Sequence, residues 1–351
     1  MEIIATVLQF LPLLFLLWLA NLSENLKQSE QHARTGTGLA ITAYVILSLM
    51  YGIFILAGIL LSLFGLLARS AGEVRTTPVP EAGVDPALIQ RMVDVLPFVG
   101  FSIWIPSLLG ILLLIPALRR WISRVIPIDP KNRVHTVALS SSMLIWIYFF
   151  FFVAVGIQNL AQWTESQEMG NPIPSLWAQQ ITFFIIALIG VGWLSWRRSW
   201  KETLNRLGLV RPTLRESLIG IGSGLLLVGG ALLLETIAQT AGIAGDPNVE
   251  KLTEQLIGPL FGSVLGILTL GLSAALGEEA IFRGALQPRF GLILTAILFS
   301  VVHSNYGFSI STLVVFLVGL VLGLMRQRYN TSTTMFVHAT YNMTLGLLSY
   351  L

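Results

Sequence analysis

Residues 39–67 read LAITAYVILSLMYGIFILAGILLSLFGLL, a run without a single charge. Coiled as a helix at about 1.5 Å per residue, it exceeds the roughly 30 Å hydrocarbon core of a bilayer, so it must tilt or kink to cross. Working outward, apolar stretches of spanning length recur at 3–21, 98–118, 136–158, 176–196, 217–241, 259–282, 291–306, 308–325 and 333–350. The expectation is an all-α polytopic membrane protein of about ten transmembrane helices.

Composition leads to the same place. The 351 residues include 21 Lys plus Arg and 18 Asp plus Glu, 11% of the chain, where a soluble domain carries about a quarter. Hydrophobic residues make up 54%. Disorder needs the opposite balance, and a water-facing surface could not be covered with so few charges. The net charge of +3 reads as a loop bias rather than as affinity for nucleic acid, and no nucleic-acid partner is expected. The absence of cysteine removes disulfides, thiolate nucleophiles and Cys-based metal sites. The first apolar run, Ile3 to Ala20, follows Glu2 rather than a basic segment and lacks a small-residue cleavage site, so it is read as a span.

The basic residues sort by connection. Counted between the ten stretches, the odd-numbered connections hold 17 Lys and Arg and the even ones 4, which accounts for all 21. The even connections also carry nine acids, among them Glu73, Asp85, Glu165, Glu168, Asp246 and Glu254. The positive-inside rule then puts the odd connections in the cytoplasm and both termini outside. The richest basic stretch, Arg197, Arg198, Lys201, Arg206, Arg211 and Arg215 with Trp193, Trp196 and Trp200, reads as an interfacial loop with its aromatic belt. Residues 69–97, with Pro78, Pro80 and Pro86, read as an external linker. Gly220-Ile-Gly222-Ser-Gly224, with Gly229 and Gly230, fails the nucleotide-binding spacing and predicts close helix packing, as do Gly262/Gly266 and Gly319/Gly323.

Charge within a span costs at least about 2.5 kcal/mol, so every instance is a candidate for function. The instances gather in the last third. Glu278 and Glu279 close an apolar run in Gly277-Glu278-Glu279-Ala280-Ile281-Phe282-Arg283, where Glu279 and Arg283 share a helix face and can pair, while Glu278 turns away and stays free. Phe299 and His303 are likewise four apart, and so are His338 and Asn342. The other two histidines, His32 and His135, fall in connections. If the chain turns at Phe290–Gly291, Glu278 and His303 each lie twelve residues from the turn, about 18 Å deep, although Pro288 interrupts the geometry. Three helices could bring Glu278, His303, His338 and Asn342 to one cavity.

A glutamate with imidazoles and a carboxamide, and no serine, cysteine or aspartate nucleophile, suits attack by activated water. Glu278 would act as general base, His303 would hold the water, and His338 with Asn342 would meet the oxyanion. These same residues carry a resemblance. Glu-Glu-x3-Arg at 278–283, Phe-x3-His at 299–303 and His-x3-Asn at 338–342 resemble the three motifs of the CPBP (ABI) intramembrane proteases, a family that includes the CaaX prenyl endopeptidases and bacteriocin-processing or self-immunity proteins. Phe282-Arg283-Gly284, Leu286-Gln287-Pro288-Arg289 and Gly319-x3-Gly323 before Arg326 also look similar.

The resemblance covers roughly 256–348. It implies catalytic roles for Glu278, His303, His338 and Asn342, support from the Glu279–Arg283 pair, and a membrane-associated protein or peptide as substrate. A multi-pass place in a bacterial cell membrane is expected, and the loop charges and helix depths put the opening of the site on the cytoplasmic side. Family naming also raises a metal: Glu278, His303 and His338 could form a two-His, one-carboxylate zinc site, although no His-Glu-x-x-His motif occurs and metal-free catalysis is the favoured expectation. Residues 217–351 are expected to form the protease domain, in the last four to five helices. Residues 1–216, about five spans, carry no motif that decides between binding substrate, setting oligomerisation and embedding the core.

Other designs fit less well. The aspartate-protease Gly-x-Gly-Asp is broken by Ile243 before Gly245-Asp246, and a rhomboid-like serine at Ser273 by Ala274, so Ser273 reads as a packing residue. A transporter would show related halves, which are not evident. A catalytically idle member acting as membrane scaffold or immunity factor remains the alternative.

Overall fold

The computed structural model describes residues 2–70, 86–165, 170–243 and 245–350. Most of the linker expected at 69–97, with Pro78 and Pro80, lies outside these residues, as do Glu73, Asp85 and Glu168. Regular structure among the described residues is entirely helical. The first part of the chain forms α1 (Glu2–Leu8), α2 (Leu11–Leu26), α3 (Ala33–Ser70), α4 (Pro86–Leu112), α5 (Pro116–Ile122), α6 (Arg133–Ser141), α7 (Met143–Val155), α8 (Ile157–Glu165), α9 (Ile173–Gly190) and α10 (Trp200–Leu207). The second part forms α11 (Leu214–Thr240), α12 (Pro247–Phe261), α13 (Val264–Glu279), a π-helical turn (Ala280–Leu286), α14 (Gln287–Val301), a short 3-10 turn (Ser304–Tyr306), α15 (Ile310–Arg328) and α16 (Thr331–Tyr350).

Eight segments among the described residues are long and apolar enough to cross a membrane. They correspond to the first nine expected spans, because the seventh and eighth are joined in Val264–Val301. The tenth, α16, is not among them: its threonines, His338 and Asn342 dilute its apolarity. It is instead packed between α11 and α13, where neighbouring helices rather than lipid surround much of its polar side. Burial follows the same logic. In Val264–Val301 61% of the most apolar window is buried inside the protein, against 17% for Leu214–Thr240, so α13 and α14 form the centre and α11 faces outward.

The centre is bent where its sequence permits. Gly291 breaks the helix with φ 77°, a left-handed conformation that glycine adopts without a Cβ penalty. Pro288, expected to disturb this region, follows the π-turn directly, and the Gly284 carbonyl that its missing N–H cannot serve accepts from Arg206 at 3.0 Å. The glycine pairs split by position. Gly220 and Gly224 admit α16, since a Cβ on either would come within 2.7 Å of Phe336 or Thr340, and Gly319 and Gly323 admit α14. Gly222, Gly229 and Gly230 face open space, so the packing role expected of the whole glycine-rich run belongs to only one face of α11.

The basic stretch after α9 is closely capped. Ser199 and Glu202 form a capping box at α10, Thr213 and Glu216 another at α11, and Gly208 ends α10 with φ 72°. Asn21 of α2 ties this region down: its Nδ2 donates to the carbonyls of Ile189 and Gly190 at 3.0 Å, while its Oδ1 accepts from Arg197 at 2.9 Å. His135, expected in a connection, lies in the first turn of α6, which begins earlier than the apolar run suggested because Asn132 caps it.

Candidate active site

The site is built around the junction of α13 with the π-turn. Glu278 and Glu279 end α13, and Arg283 follows one turn later. π-turns insert an extra residue and collect at functional sites, because they turn adjacent side chains to faces an α-helix cannot serve. Glu279 is fully buried and its Oε1 lies 3.4 Å from Arg283 Nη1. The same Oε1 accepts a hydrogen bond at 2.8 Å from His338 Nδ1, reaching across from α16. Arg283, 1% exposed, stacks its guanidinium over the Phe299 ring at 4.0 Å and donates to the Gly319 carbonyl at 3.4 Å. This interior ion pair crosses from α13 to α16 and, through Gly319, to α15.

Glu278 has different neighbours. Its Oε2 has no hydrogen-bond partner and stands 3.9 Å from His303 Nε2, too far for a direct hydrogen bond. His303 holds its ring by donating from Nδ1 to the Phe299 carbonyl at 2.9 Å, so in the neutral tautomer Nε2 presents its lone pair toward Glu278. The Tyr306 ring lies parallel to the His303 ring, with centroids 6.2 Å apart.

The other Glu278 oxygen, Oε1, accepts a 3.1 Å hydrogen bond from Gln180 Nε2 of α9, a buried side chain from the first part of the chain. Gly277 makes this contact feasible, since a Cβ there would run into Gln180. Gln180 and Tyr306 were both missed in the sequence reading. The available signal for Gln180 was the amide pair Gln179-Gln180 within a largely apolar span, which does not say which of the two faces inward.

One cavity of about 1420 Å³ touches Glu278, His303, His338 and Asn342, together with Gln180 and Tyr306. The four expected catalytic side chains, drawn from α13, the residues just after α14, and α16, therefore share one space. Asn342 lines it one helical turn beyond His338. Arg197, Arg198 and Arg206, from the basic stretch read as an interfacial loop, line the same cavity. Ser273 is fully buried and lies outside its lining, in keeping with a packing residue.

The zinc arrangement does not fit. A zinc ion needs its ligands about 2.0–2.2 Å from a common point. Among the described residues no group of three His, Cys, Asp or Glu side chains gathers closely enough to hold a metal ion.

Fold and site together define a multi-pass helical membrane protein with a buried carboxylate–imidazole centre. Residues 260–344 match the family model described as Type II CAAX prenyl endopeptidase Rce1-like, and this segment is an Rce1-like domain within the CPBP group. The match takes in Glu278, Glu279, Arg283, His303, His338 and Asn342. No curated protein and no solved structure matches the chain.

Proposed function

We propose that the chain is an intramembrane endopeptidase that hydrolyses a peptide bond of a membrane-associated protein or peptide with a glutamate-activated water. The observation that carries this reading is the 3.9 Å separation between Glu278 Oε2 and His303 Nε2 inside an apolar cavity. Both atoms are acceptors in the neutral-histidine state, and a single water donating to each spans that gap. Glu278 Oε2 takes a proton from this water as its oxygen attacks the carbonyl carbon. The carbonyl becomes an oxyanion, and Glu278 returns the proton to the departing amine.

Gln180 engages Oε1 and so leaves Oε2 as the basic oxygen. Asn342 donates to the oxyanion through its amide. His338 needs a proton on Nε2 to donate as well, because its Nδ1–H is given to Glu279. Residues 217–351 form the protease domain in this reading, completed by Gln180 from the first region. The cavity opens to the cytoplasm if the basic connections lie there.

The test compares membrane peptides released by wild type and by Glu278→Gln. Peptides released by wild type alone support the reading; identical peptide sets from both refute it.

A further inference from the structure

Four guanidinium groups line the cavity that holds Glu278: Arg197, Arg198 and Arg206 from the connection around α10, and Arg289 from the first turn of α14. Each is partly buried, and like charges gathered in a confined space repel. Protein partners answer some of this. Arg197 donates to Asn21 Oδ1 and has Glu24 nearby, while Arg198 donates to the Val191 carbonyl and has Glu202 nearby. Arg206 donates to the carbonyls of Gly284 at 3.0 Å and Ala285 at 3.5 Å.

No carboxylate pairs with Arg206 or Arg289 among the described residues, and Arg289 Nε is buried without a hydrogen-bond partner. Burial, with the like charges of Arg289, Arg198, Arg326 and Arg197, pushes the Arg206 guanidinium down to about 10, which still leaves it charged at neutral pH. The cavity thus has a cationic end and a carboxylate–imidazole end.

We infer that Arg206 and Arg289, flanked by Arg197 and Arg198, form an anion subsite that binds a carboxylate of the peptide being cleaved, from an acidic side chain or from a free C-terminus. The inference rests on the endopeptidase reading above. A peptide is favoured over a lipid headgroup because the arginines line the interior of the same cavity as Glu278, so one bound chain reaches both ends. Arg289 follows Glu278 by eleven residues. That is at most about 16 Å of helix, since the π-turn rises less per residue than an α-helix, and an extended peptide covers it in about five residues. The recognised carboxylate accordingly lies about five residues from the scissile bond.

The experiment uses the full-length protein in phosphatidylcholine nanodiscs with three pools of randomised twelve-residue peptides, whose products are sequenced by mass spectrometry. One pool has free C-termini, one is C-terminally amidated, and one is amidated and lacks Asp and Glu. Cleavage by wild type should favour peptides with a carboxylate about five residues from the cut. Amidation distinguishes a C-terminal from a side-chain source.

Arg289→Gln removes a guanidinium that makes no hydrogen bond inside the protein, so it leaves the fold intact. It should reduce the kcat/KM ratio of acidic over neutral peptides about tenfold, the share of one charge-assisted hydrogen bond. Arg206→Gln should act in the same direction. Cleavage with no carboxylate preference, or a preference that survives Arg289→Gln, overturns the subsite while leaving the protease reading in place. Absence of cleavage from every pool and from native membranes overturns both. If native mass spectrometry in nanodiscs containing phosphatidylglycerol shows lipid retained by wild type and lost by Arg289→Gln, the arginines serve lipid and the peptide assignment fails.

Discussion

Replacing Glu279 by glutamine preserves the shape of the side chain and removes its charge. The oxygen that accepts from His338 Nδ1 at 2.8 Å can remain as the amide oxygen, so the hydrogen bond is kept while the ion pair with Arg283 at 3.4 Å is lost. Arg283 has little else: it is 1% exposed, its Nε and Nη1 have no hydrogen-bond partner, and its remaining polar contact is the Gly319 carbonyl at 3.4 Å. Stranding a buried charge costs about 3–5 kcal/mol, about a third to a half of the roughly 10 kcal/mol that stabilises a typical domain. The expected result is a loss of that size in reversible denaturant unfolding of the detergent-solubilised protein. The double variant Glu279→Gln/Arg283→Met removes both charges and fills the volume beside Phe299, so it should recover most of the loss. A loss below about 1 kcal/mol for the single variant, or a double variant less stable than the single, would refute the reasoning.

Other outcomes follow from the same geometry. Glu278→Gln should reduce cleavage at least about a hundredfold, the lower bound for removing a general base, with unfolding unchanged within about 1 kcal/mol; kinetics and denaturation on one preparation check this. Gln180→Leu should lower kcat about tenfold with KM within about twofold, because the 3.1 Å hydrogen bond orients the base rather than the substrate; an equal loss confined to KM would count against that role. Exhaustive chelation followed by elemental analysis should leave cleavage within about twofold, since Glu278, His303 and His338 do not converge as ligands; loss of activity restored by zinc would reverse this. The cysteine-free chain suits a topology test: an impermeant maleimide should label Asp246→Cys from outside and Lys201→Cys only after the membrane is opened.

The scarcity of charge, the spacing of apolar runs and the three i, i+4 pairs were legible in the residues, because helix geometry is local and a charge in an apolar run stands out. That reasoning reached the all-helical fold and the turn at Phe290–Gly291. It named Glu278, Glu279, Arg283, His303, His338 and Asn342, all of which lie within one segment of the chain. It could not find Gln180. A hydrogen bond across 98 residues depends on how α9 packs against α13 and on the space left by Gly277, and no local period records that.

The basic connection shows the same limit. Its composition suits an interfacial loop, and only the tertiary fold turns Arg197, Arg198 and Arg206 toward the cavity of Glu278. Periodicity and hydropathy determine which segments are helices and which residues are costly to bury, since both depend on neighbours along the chain. Which oxygen of Glu278 is engaged and which stays free, and what shares its cavity, depends on contacts between distant helices.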